Sequence, residues 1–194
     1  MIQHGFLRVA AAVPSLRVAD CAFNAERIAG LMARAETEGV AVLAFPELCL
    51  TGYTCGDLFH QPALQRAALE ALEGLVRSSK DSFSGVAILG IPVAVDDQLF
   101  NCAALVHRGR ILGVVPKSFI PNYKEFYEAR WFTVAATARS RHIVLGGVEV
   151  PFGTQMLFHA SDVDGSLVRN LWRRRGDSRH EHFCGEDPIR RTRR

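Results

Sequence analysis

The chain opens on an apolar run, "FLRVAAAV" (residues 6–13), and similar runs return as "VAVLAF" (40–45) and "GVAILGIPVAV" (85–95). Runs of this kind, with almost no polar alternation, are what strands buried on both faces require. Between them the period changes. In "CAFNAERIAGLMARAETEG" (21–39), Phe23, Arg27, Ile28, Leu31, Met32 and Ala35 recur at helical spacing, and Gly39 supplies the stop. "QPALQRAALEALEGLVRSS" (61–79) predicts a second amphipathic helix beginning at Pro62. "NCAALVHRGRILGVVPKS" (101–118) predicts a hairpin that turns at His107–Arg110. Strand, helix, strand, helix and then a hairpin-bearing sheet indicate an α/β layered domain.

This grammar continues to "SDVDG" (161–165) and then stops. The remainder, "SLVRNLWRRRGDSRHEHFCGEDPIRRTRR" (166–194), keeps no helical or strand period and is dominated by arginine. Its nine arginines against four acids give +5; the whole chain carries +3, which leaves −2 for residues 1–165. Two parts are therefore expected: a folded domain over 1–165, and an Arg-rich tail over 166–194 that is disordered or the product of a frameshifted reading frame. The tail's "HEHFC" alternates His180, His182 and Cys184, but a fourth ligand and spaced ligand pairs are missing, so no metal is expected. Its arginine runs lack aromatic interleaving and a folded scaffold, so no nucleic-acid partner is expected either.

Composition narrows the class. At 194 residues, 48% apolar and 22% charged, the chain matches a soluble globular protein able to bury a substantial core. Five cysteines without CxxC spacing point to free thiols in a reducing, cytoplasmic compartment. The N-terminus lacks a basic lead and reads as the start of a strand, not a signal peptide. No apolar stretch approaches the roughly 20 residues that span a bilayer, so no membrane partner is expected.

Three features at strand ends or in loops carry candidate chemistry, since that is where α/β domains place their sites. Glu47 lies in "AFPELCLTGYTCGD" after the second strand, Lys117 in "GVVPKSFIPNY" after the hairpin, and Glu128 in the aromatic "YKEFYEARWF". A carboxylate and an ammonium brought together in a dry pocket suit general-base work with oxyanion stabilisation. What this set lacks is a nucleophile, most economically a thiolate. Cys49 stands two residues after Glu47, so along an extended chain both side chains share a face with little room between them for substrate. Cys49 and Cys55 are expected to pack, and Cys102 reads as core strand.

"FPELCLTGYTCGDLF", "PKSFIPNYKEFYEARWF" and "VPFGTQMLF" together resemble the nitrilase, or carbon–nitrogen hydrolase, superfamily. The nearest branch is the glutaminase domain of glutamine-dependent NAD synthetases, and the likeness runs through most of residues 6–165. The resemblance implies a nitrilase-like four-layer α-β-β-α sandwich, here incomplete on its C-terminal side. It implies Glu47 as general base, Lys117 as the lysine that helps hold the tetrahedral oxyanion, and Glu128 as the carboxylate orienting that lysine. It further implies Tyr53, Tyr123 and Phe126 as lining of a glutamine pocket. In the family, glutamine forms a thioester, ammonia leaves for a separate synthetase domain, and the thioester is hydrolysed. The amidase domain itself then needs no cofactor; ATP and Mg would belong to the synthetase domain. Members of the superfamily assemble as homo-oligomers, which is the expectation here if the domain is complete.

The chain departs from that pattern after "SDVDG", where the superfamily carries its nucleophile in a motif resembling E-x-C-E-D. Residues 166–176 contain no cysteine. Cys184, in "HFCGEDP", is the remaining candidate, and no apolar strand precedes it to aim its thiol. The expectation is a carbon–nitrogen hydrolase domain that is catalytically incomplete. The alternatives are a non-catalytic binding module on the same scaffold, or a hydrolase for a different amide.

Overall fold

The computed structural model describes residues 2–3 and 6–159. Two short strands, β1 (Ile2–Gln3) and β2 (Phe6–Leu7), pair antiparallel, and they group with residues 155–159 in a unit separate from the main sheet. Residues 8–154 form the other compact unit, which holds the main sheet and the candidate site.

That unit begins with β3 (Val9–Ala11), α1 (Cys21–Thr37), β4 (Val42–Ala44), α2 (Pro62–Ser82) and β5 (Val86–Val95). β6 (Gln98–His107) and β7 (Arg110–Pro116) follow, with the hairpin turn where the sequence places it. The five strands lie in the order β3-β4-β5-β6-β7. β3, β4 and β5 are parallel, and β5, β6 and β7 are antiparallel. Both parallel crossovers step the same way across the sheet, so the right-handed rule puts α1 and α2 on one face, where they pack together. A last hairpin, β8 (His142–Leu145) with β9 (Val148–Pro151), meets β7 through a bridge between Val114 and Phe152. The described residues thus supply one five-stranded sheet with a layer of two helices, together with two two-stranded sheets.

Each helix has a local cause. Asp20 caps α1, its side chain accepting from the Phe23 amide at 3.1 Å. Beyond the end of α1, Gly39 adopts φ +67°, which a residue with a Cβ reaches only under strain. In α2, Pro62 occupies the first turn, and Leu64, Ala68, Leu72, Leu75 and Ser79 face inward at three- and four-residue steps. Each fully buried leucine of that stripe is worth about 1.5–3 kcal/mol relative to exposure.

Two expectations need correction. "FLRVAAAV" is not one buried strand: it divides at Arg8, and β3 is an edge strand whose Val9 is 64% exposed. Among the described residues β3 pairs only with β4, so apolar sequence alone overstates its burial. The inward face of α1 also differs. Asn24 is fully buried, whereas Phe23 is half-buried and covered by the guanidinium groups of Arg17 (4.0 Å) and Arg27 (4.8 Å). Asn24 is inside because its amide closes a network, donating to the carbonyls of Arg17 (2.8 Å) and Leu50 (3.1 Å) and accepting from the Arg17 amide (2.8 Å). It ties the start of α1 to the loop that carries Glu47.

Candidate active site

The three candidate side chains, separated by up to 81 positions, meet at one point. Lys117 Nζ lies 2.5 Å from Glu47 Oε1, 2.7 Å from Glu128 Oε2 and 2.9 Å from Glu128 Oε1. An ammonium has three N–H donors, and here all three are used. Burial pulls the Lys117 pKa down, but the hydrogen bonds and charges of Glu128 and Glu47 outweigh it and hold the ammonium above its ordinary value.

Each residue is placed by backbone. Glu47 stands in the turn that follows β4, and this turn lies on Gly90 of β5. The Leu50 amide donates to the Gly90 carbonyl at 3.2 Å, and the Gly90 amide donates to Cys49 Sγ at 3.3 Å. A Cβ on Gly90 would stand 2.2 Å from the Leu48 nitrogen, so only glycine lets the turn come this close. Leu48, next to Glu47, takes a positive φ of +53°, an unfavourable conformation for leucine that the surrounding contacts impose. Lys117 follows β7 directly; its amide donates to the Asn101 carbonyl at 2.8 Å and its carbonyl accepts from Ala135 at 3.0 Å. Glu128 opens a 3₁₀ turn (Glu128–Arg130) and is 2% exposed, whereas Glu125, its neighbour in the aromatic segment, is exposed.

Tyr53 joins the cluster, its hydroxyl donating to Glu128 Oε1 at 2.6 Å. Burial and that hydrogen bond hold the phenol well above its ordinary pKa. Tyr123 and Phe126 do not join it. Their rings lie 6.0 Å apart, Tyr123 is exposed, and among the described residues no hydrogen bond or ring contact links either to Glu47, Lys117 or Glu128. One residue escaped the sequence reading. Asn101, 3% exposed in β6, donates its side-chain amide to Glu47 Oε1. A polar residue inside the apolar "FNCAALV" was its only signal.

Cys21, Cys49, Cys55 and Cys102 are all buried and free. Burial pushes the Cys21 and Cys49 thiols up to about 11 and raises those of Cys55 and Cys102. The packing role expected for Cys49 and Cys55 agrees with this burial, but its stated reason does not hold. The chain turns at Leu48 instead of running extended, and this carries the Cys49 thiol under the turn to Gly90. Cys184, His180 and His182 lie outside the described residues.

A family model described as carbon-nitrogen hydrolase matches residues 8–173. The chain belongs to the carbon–nitrogen hydrolase family. It is 41% identical over 166 residues to the glutamine-dependent NAD(+) synthetase of Mycobacterium tuberculosis, covering 86% of this chain and 24% of the relative. The Mycobacterium leprae enzyme of the same name is 37% identical over 168 residues, with the same coverage. The chain thus spans about a quarter of the length of these curated relatives. Among solved structures, a glutamine-dependent NAD(+) synthetase from Cytophaga hutchinsonii matches with a TM-score of 0.73 and 30% identity, over 80% of this chain and 26% of that one. An amidase from Nesterenkonia sp., 22% identical with a TM-score of 0.58 over 76% of this chain and 55% of its own, shares the fold. No helix among the described residues is long and apolar enough to cross a membrane.

Proposed function

We propose that residues 8–154 carry the proton-transfer and oxyanion-binding half of a glutamine amide hydrolase, of the kind that supplies ammonia for NAD synthesis. The observation that carries this reading is the lysine held between two carboxylates, Glu47 and Glu128, in a carbon–nitrogen hydrolase chain that is 41% identical to a glutamine-dependent NAD(+) synthetase over 166 residues. Glu47 takes the proton of the attacking nucleophile, and Lys117 stabilises the negative charge that develops on the amide oxygen. Because every Lys117 N–H is already used, that oxygen must displace one of its bonds. The 2.9 Å bond to Glu128 Oε1 is the longest, and this oxygen keeps the Tyr53 hydroxyl when the lysine leaves it. Glu128 and Tyr53 thereby hold Lys117 without competing fully with substrate. Tyr53, Tyr123 and Phe126 are proposed to contact glutamine, and the amide step requires no cofactor.

The nucleophile, on this reading, is not among the four described thiols: all are buried, and among the described residues none is hydrogen-bonded to Glu47. On this reading the isolated chain turns over glutamine little or not at all, since losing the nucleophile of a covalent hydrolase costs on the order of a million-fold. The test is calorimetric titration with glutamine, beside an ammonia-release assay and labelling by a thiol-reactive glutamine analogue. Expected are glutamine binding, no ammonia release and no labelled thiol. Absence of glutamine binding overturns the substrate assignment. Ammonia release with a label on Cys184 overturns the incompleteness and makes Cys184 the nucleophile.

A further inference from the structure

Glu47 has two carboxylate oxygens, and they are not equivalent. Oε1 receives both Lys117 Nζ and the side-chain amide of Asn101, whereas Oε2 has no hydrogen bond among the described residues. The asymmetry needs a cause, because the Glu47 side chain is 38% exposed and stands on a turn, where it has rotamer freedom to lose. A flexible lysine cannot provide that order by itself. Asn101 can: it lies inside β6, in register with Pro92 of β5, one residue before the Cys102–Pro116 pair that joins β6 to β7. Through its side chain it holds Glu47, and through its carbonyl it holds the Lys117 amide at 2.8 Å.

We propose that Asn101 is a positioning residue that fixes the separation of Glu47 and Lys117 and presents Glu47 Oε2 as the proton-accepting atom. The assignment of a proton-accepting role rests on the function proposed above; the geometric part does not. With Asn101 gone, rotation about the last side-chain bond of Glu47 exchanges its oxygens freely, and the carboxylate follows the lysine into its pair with Glu128. The two residues are 70 positions apart, so no local element replaces this tie. A core asparagine that merely satisfies itself would affect stability and leave the lysine's environment alone.

NMR of the full chain separates these roles. There are three lysines (Lys80, Lys117, Lys124) and four asparagines (Asn24, Asn101, Asn122, Asn170), so selective ¹⁵N labelling yields a short set of signals. In the wild-type chain the Asn101 side-chain amide resonates downfield of exposed Asn122, and Glu47→Gln moves it back. Asn101→Leu and Asn101→Asp, both close to isosteric, lose the Lys117 ammonium signal while those of Lys80 and Lys124 stay in place. Two variants guard against one failing to fold, and the Glu47→Gln comparison needs neither. An Asn101 signal indifferent to Glu47→Gln, or a Lys117 signal preserved in a folded Asn101 variant, overturns the proposal. Because the readout needs no turnover and no glutamine, failure of the substrate reading leaves this result intact.

Discussion

Replacing Gly90 by alanine tests whether the Glu47 turn depends on its seat in β5. The added Cβ would lie 2.2 Å from the Leu48 nitrogen, 2.7 Å from the Pro46 oxygen and 2.8 Å from the Glu47 carbonyl carbon. All three are backbone atoms, so no side-chain rotation relieves the clash; the turn must recede by about 1 Å to restore ordinary contact near 3.5 Å. Overpacking of this kind costs about 1–3 kcal/mol, and the smaller entropy of the unfolded alanine chain offsets about 0.4–1 of it. A net loss of about 1–2 kcal/mol remains, which in a domain of this size lowers Tm by about 2–8 °C. Gly30 in α1 is the control. It has nothing within 4 Å of its would-be Cβ, so Gly30→Ala should gain up to about 1 kcal/mol from helix propensity. Melting followed by circular dichroism gives the stability, and the Lys117 ammonium signal reports whether Glu47 stays in reach. A Gly90→Ala protein that melts with the wild type and keeps that signal would refute the claim that Gly90 seats the turn.

Three further outcomes follow from the same cluster and its surroundings. Lys117→Met leaves Glu128 buried with only Tyr53 as a side-chain partner and should cost about 3 kcal/mol in urea unfolding, the low end for a broken buried pair because the lysine is 26% exposed. Adding Glu128→Gln should return part of that loss; no recovery in the double variant would count against the pair. Tyr53→Phe removes one hydrogen bond to a charged oxygen and should cost about 1 kcal/mol, measured the same way. Cys49 contributes one part of the pH dependence. Burial raises its thiol from 9.0 to about 11, so the folded state keeps its proton where the unfolded chain loses it. The associated stability is complete below pH 9 and is lost as pH rises towards 11, about 2–3 kcal/mol for two units. Cys49→Ser should therefore flatten the fall in urea midpoint between pH 8 and 10.5, and an unchanged slope would contradict the assignment.

The linear pattern of apolar residues determined β4, β5, both helices and the β6–β7 hairpin, because period and punctuation are local properties of the chain; it did not show the β8–β9 hairpin. The "PE", "PKS" and aromatic motifs likewise singled out Glu47, Lys117 and Glu128, the side chains that the fold brings together. Tertiary structure decided what depends on neighbours distant in sequence. It set β3 at a sheet edge, because burial belongs to the partners a strand finds and not to its composition. It turned Asn24 fully inward and left Phe23 half-buried, because a closed hydrogen-bond network outweighed a ring that two guanidinium groups already cover. It buried Glu128 and left Glu125, three positions before it, exposed. Above all it drew Asn101 and Gly90 into the site, one by an amide that reaches Glu47 across 54 positions and the other by having no side chain where the turn must lie. Neither residue bears reactive chemistry, so only the approach of β4, β5 and β6 in space gives them a part in it.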